Sequence, residues 1–167
     1  MVSIREVQST DAGAISEIYN YYIHHTVITF EEHEVSADEM KNRFVAVHHQ
    51  GLPWLVAQHN GDVVGYAYAS QWKQRYSFRF SVEVTVYLAP SASGKRIGTA
   101  LYQSLFDALK ATSVHIMIAG ITVPNEASVA LHEKFGFRKV GHFSEVGFKF
   151  EQWLDVGFWQ VEMSEVQ

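Results

Sequence analysis

The stretch from Val82 to Leu109 constrains the fold more than any other part of the chain. Val82, Val84, Val86 and Leu88 alternate with Glu83, Thr85 and Tyr87, which gives a strand one apolar face and one mixed face. Pro90 ends that strand. Ile97, Leu101, Leu105 and Leu109 then recur every four residues, the spacing of a buried helix stripe, and predict a helix from about Gly94 to Ala111. Val114 to Ala119 is apolar on both faces except at His115, as in a central strand.

The flanking segments extend this unit in both directions. Ser3 to Val7 reads as a first strand, and Thr10 or Asp11 caps a helix to about Tyr22. Ser36, with Glu39 in capping-box position, opens a second helix. Trp54–Gln58 and Val63–Ser70 flank Asn60-Gly61-Asp62, a hairpin signal. A short helix after Pro124-Asn125 stops at Gly136, and strands near Arg138–Ser144 and Trp153–Met163 complete the order. Hairpins followed by a strand–helix–strand unit indicate a mixed α/β sheet. With 167 residues and no repeat or linker, the chain reads as one domain.

Composition excludes several classes of function. Thirteen Lys and Arg against 18 Asp and Glu give a net charge of -5, which argues against a nucleic-acid partner. A chain without cysteine has no disulfide, thiolate nucleophile or Cys-based zinc site. The adjacent pairs His24-His25 and His48-His49 point to different sides of a helix, and His132-Glu133 lacks a second histidine, so no metal is expected. The charged N-terminus and the lack of a long apolar run lead to the expectation of a cytoplasmic protein with no membrane partner.

Two chemical features stand out. A helix N-terminus near Gly94 offers unpaired N–H groups and a positive dipole end, and Lys95 and Arg96 add charge there, so an anion such as phosphate suits it. Ser93-Gly94-Lys95 is equally compatible with an ordinary turn into a helix. Glu83 is a carboxylate on an otherwise apolar and hydroxylic strand, and spacing alone favours a surface carboxylate over a functional one.

The order of elements, with its loop, resembles the GCN5-related N-acetyltransferase (GNAT) superfamily. The segments IYNYYIHHTVITFEE (18–32), YASQWKQRYSFRFSVEVTVYL (68–88), IAGITVPNEASVALHEKFGF (118–137) and VGFKFEQWLDVGFWQ (146–160) resemble its phosphinothricin and methionine-sulfoximine acetyltransferase branch. The resemblance implies a GNAT fold: a mixed, mostly antiparallel sheet with a splayed parallel strand pair and flanking helices. It also implies acetyl transfer from acetyl-CoA to a small-molecule amine in a homodimer, with the aromatic-rich tail as the interface.

The resemblance also assigns residues. The family loop Gln/Arg-x-x-Gly-x-Gly/Ala, aligned on Gly98, puts Ser93 at the Gln/Arg position and Arg96 where the first glycine belongs. The segment Ser93, Gly94, Lys95, Arg96, Ile97, Gly98 and Thr99 would then hold the CoA pyrophosphate, with Val86, Tyr87 and Leu88 along the pantetheine and Asn125 beside it. Glu83 falls at the family's general base and His132 at the place of a thiolate-protonating tyrosine. Lys73, Arg75, Phe78 and Arg79 would bind the anionic end of the substrate, and Phe30 would wall it. The alternatives are acetylation of a protein N-terminus or a polyamine, and a non-catalytic acyl-CoA sensor.

Overall fold

The computed structural model describes residues 1–167. The strands are β1 (Val2–Glu6), β2 (Trp54–His59), β3 (Asp62–Gln71), β4 (Ser81–Leu88), β5 (Ile116–Val123), β6 (Arg138–Lys149) and β7 (Gln152–Glu162). The helices are α1 (Ala12–His25), α2 (Ala37–His49), α3 (Ile97–Leu109) and α4 (Glu126–Lys134). No helix is long and apolar enough to cross a membrane.

The strands form one sheet in the order β1-β2-β3-β4-β5-β7-β6, antiparallel except for β4 and β5. Helices α1 and α2 cover one face, where Ile15, Ile18, Ile23, Met40 and Phe44 pack on Trp54, Val56 and Tyr66. Helix α3 covers the other through Leu101, Leu105, Phe106 and Leu109 against Ala67, Val82 and Val84. The predicted stripe of α3 is therefore the centre of the larger core.

Local signals explain several element ends. Ser36 Oγ accepts the Glu39 N–H at 3.1 Å, which caps α2. The β2–β3 turn holds Asn60 and Gly61 at φ 52° and 94°, the left-handed pair of a two-residue hairpin. Gly136, at φ 90°, follows α4 as expected. Asp11 is a correction: it precedes α1, but its carboxylate accepts from Arg5 at 2.8 and 2.9 Å and from the Gln8 N–H, so it ties β1 to the helix. The last hairpin is longer than expected, because β6 runs on to Lys149 and turns through Phe150 and Glu151, both at positive φ.

The feature that positions the site is a fork in the sheet. Strands β4 and β5 pair only at Ser81–Glu83 with Ile116–Ile118. Beyond that, β4 stays paired to β3 as far as Leu88, and β5 stays paired to β7 as far as Val123. The facing edges of Val84–Leu88 and Ala119–Val123 have no ladder between them, and a cleft opens there.

Candidate active site

Two cavities meet in the fork. One, of about 340 Å³, is lined by Glu83, Phe30, Trp72, Tyr102, His132 and Phe158 among others. The second, of about 480 Å³, runs from Val86, Tyr87 and Leu88 to Ser93, Gly94, Arg96, Ile97, Gly98 and Thr99. Val86, Tyr87, Asn125 and Ser128 line both, so the two are continuous.

Glu83 is the last residue of β4 paired to β5, which sets its carboxyl at the point of the fork. Burial raises its pKa, and the Lys73 ammonium partly opposes the shift. A carboxylate with raised basicity in a cleft has the properties of a proton acceptor. Across from it, Gly120 leaves the space open: a Cβ there would sit 3.2 Å from the Phe158 ring and 3.8 Å from Glu83 Oε1.

The second cavity ends on the N-terminus of α3. Its cap residue, Arg96, makes no side-chain cap, and the first helical bond runs from Ala100 N–H to the Arg96 carbonyl. The N–H groups of Ile97, Gly98 and Thr99 are therefore free for a ligand oxygen. Arg96 has φ 59°, a left-handed conformation that glycine adopts without strain. An arginine therefore holds a backbone conformation that glycine favours. Tyr22 steadies the other end by donating its hydroxyl to the Leu88 carbonyl at 2.6 Å. These residues fit an elongated ligand with an anionic group at the helix end.

Several expected residues lie elsewhere. Lys95 borders a separate small cavity with Val2, Asn60 and Asp62, because the turn before α3 sends it away from the cleft. The turn at Tyr76–Phe78 carries the Arg75–Arg79 segment outward. Arg75 and Phe78 line neither cavity of the fork, and the Arg79 guanidinium stacks on Tyr76 and Phe80 at 4.1 and 4.2 Å. Lys73 also stays off the cavity wall, yet its Nζ lies 4.9 Å from the ring of Trp72, which does line it. It is the cation whose charge reaches Glu83.

His132 sits between two partners. Its Nδ1 lies 2.7 Å from the Ser128 carbonyl, which only accepts, so Nδ1 carries the proton. Its Nε2 then accepts from the Tyr102 hydroxyl at 2.8 Å. Burial lowers its pKa, which keeps the ring neutral. With both nitrogens engaged, His132 orients Tyr102, and its Nδ1 proton is shared with the Ser128 carbonyl. Asn125 combines two roles: its side chain accepts the Ser128 N–H at 3.2 Å, capping α4, and it lies where the cavities join.

Trp72, Tyr102, Ser128 and Phe158 are the site residues that sequence reasoning missed. Tyr102 follows Leu101 on the buried stripe and reads as core; only its need for a hydroxyl partner hinted at a polar neighbour.

The forked mixed sheet thus carries a carboxylate at the fork and an uncapped helix at the far end of the cleft. The family model for the acetyltransferase (GNAT) domain matches residues 4–157. The chain belongs to this GNAT family and is an acyltransferase. It is 37% identical to the L-methionine sulfoximine/L-methionine sulfone acetyltransferase of Salmonella typhimurium, with 98% of this chain and 96% of that one covered. It is 38% identical to a phosphinothricin N-acetyltransferase of Streptomyces coelicolor, with 95% of each covered. The crystal structure of a GNAT superfamily phosphinothricin acetyltransferase from Sinorhizobium meliloti in complex with AcCoA superposes with a TM-score of 0.93 at 39% identity, covering 96% of this chain and 88% of that one.

Proposed function

We propose that this protein transfers an acetyl group from acetyl-CoA to the α-amine of a small anionic amino-acid analogue of the methionine sulfoximine, methionine sulfone or phosphinothricin type. The observation that carries this reading is Glu83, partly desolvated at the fork of β4 and β5 in a cavity continuous with the groove to α3. The substrates of the Salmonella and Streptomyces relatives support the choice of amine.

In this reading acetyl-CoA supplies the activated thioester. The free edge of Val86–Leu88 lies along its pantetheine, and the N–H groups of Ile97, Gly98 and Thr99, with Ser93 and Gly94, cradle its pyrophosphate. Glu83 takes the ammonium proton, directly or through one water, which frees the nitrogen lone pair for attack. Transfer is direct: the C–N bond forms, the C–S bond breaks, the second nitrogen proton passes to the departing thiolate or to water, and no acyl-enzyme forms. Phe30, Trp72 and Phe158 wall the amino-acid side chain, and Lys73 supplies positive charge for its anionic end. Holding amine and thioester in one cleft supplies much of the rate.

The homodimer reading is supported by the last hairpin, where Phe143, Val146, Phe148, Phe150 and Trp153 are exposed together. Dependence on acetyl-CoA, an intracellular metabolite, supports a cytoplasmic setting. Free-thiol release with methionine sulfone, methionine sulfoximine, phosphinothricin, a polyamine and an N-terminal peptide tests the function. Turnover confined to the first three is the expected result. Turnover of only the peptide or polyamine, or CoA binding without turnover, would replace this reading by one of its rivals.

A further inference from the structure

Lys149 is buried to 1% exposure with no carboxylate in ion-pair contact, and it donates one hydrogen bond, from Nζ to the Thr29 carbonyl at 2.8 Å. Its Nζ also lies 5.0 Å from the Phe150 ring centre, and the Glu32 charge partly offsets the lowering of its pKa by burial. Burying an ammonium in that way is costly, so the contact it makes is informative. Two residues earlier on the same face of β6, Gly147 lies against Phe30, where a Cβ would run into the ring. Thr29 and Phe30 both line the cavity that holds Glu83.

Residues 26–35 contain no helix or strand, so their place depends on such ties. On the opposite flank, Arg43 grips Glu31 with two bonds of 2.8 and 2.7 Å. The Tyr19 hydroxyl meets Glu31 and lies 2.7 Å from Thr29 Oγ1. The β6 contacts are what hold the segment from the side of the hairpin. We infer that Lys149 is a positioning residue for the amine substrate: it fixes the Thr29 carbonyl while Gly147 seats Phe30, and together they set the wall against which the amino-acid side chain packs. This rests on the acetyl-transfer reading above.

The test is steady-state kinetics of Lys149→Met and Gly147→Ala in the full chain, with circular dichroism to establish folding. Methionine keeps the length of lysine without its N–H donors, whereas the Gly147 change displaces Phe30 with Lys149 intact. The KM for methionine sulfone should rise about tenfold or more in both variants, with the KM for acetyl-CoA within about twofold of wild type. Should Lys149→Met fail to fold, Lys149→Gln takes its place, with the same split between the two KM values expected. Unchanged amine KM, or equal losses for both substrates, would overturn the inference. Absence of turnover in the wild type with every amine would instead sink the acetyl-transfer reading, and this one with it.

Discussion

Tyr102 and His132 are locked together beneath the fork, hydroxyl to Nε2 at 2.8 Å, with the histidine's other nitrogen on the Ser128 carbonyl. The folded state holds this ring neutral, because burial lowers its pKa. Between that lowered value and the ordinary histidine range the unfolded chain binds the extra proton, so stability falls as pH falls through about 6.5. Replacing His132 with Asn should cost about 1–3 kcal/mol at pH 7.5 and flatten the loss between pH 7.5 and 5.5. Urea denaturation at the two pH values measures this. An equally steep loss in the variant would mean that other groups govern it.

Lys73 opposes the effect of burial on Glu83. Lys73→Ala should therefore move the acid limb of the kcat/KM profile to higher pH, since the carboxyl then stays protonated further up the scale. A limb that stays in place, or moves down, would separate Lys73 from the base.

Arg96 sits at φ 59°, a conformation that costs a non-glycine residue about 1–2 kcal/mol. Arg96→Gly restores the residue that this backbone favours. Calorimetric titration should show CoA affinity preserved or tightened if the N–H groups of α3 make the cradle. A large loss would assign the grip to the guanidinium.

Gly120 faces Glu83 and Phe158 across the cavity. A methyl group there narrows the amine side alone. Gly120→Ala should raise the KM for the amine several-fold and leave that for acetyl-CoA unchanged, as read by varying one substrate at a time.

The parts of the fold legible in the sequence are those where local rules and burial agree. The stripe Ile97–Leu109 is the core, Ser36 is the cap, and Asn60-Gly61 is the hairpin turn. The Phe150-Glu151 turn carries no residue that favours positive φ, so long-range strand pairing imposes it and the sequence is silent. The fork is likewise a tertiary fact: Val82 to Leu88 reads as one uniform strand, although only its first part pairs with β5. The carboxylate and the helix N-terminus could be picked out by residue type. The assignment of Arg75, Phe78 and Arg79 could not, because a basic, aromatic loop gives no sign of which way its turn points. Likewise nothing in the spacing of Tyr102 and His132, 30 residues apart, shows that they meet.

The central claim is that Glu83 is the base of an acetyl transfer. It is tested most directly by Glu83→Gln, assayed for thiol release with acetyl-CoA and methionine sulfone and titrated with CoA in parallel. Turnover should fall at least about a hundredfold, the usual scale of general-base removal, while CoA binds as it does to wild type. Full turnover in the variant would remove Glu83 from the chemistry.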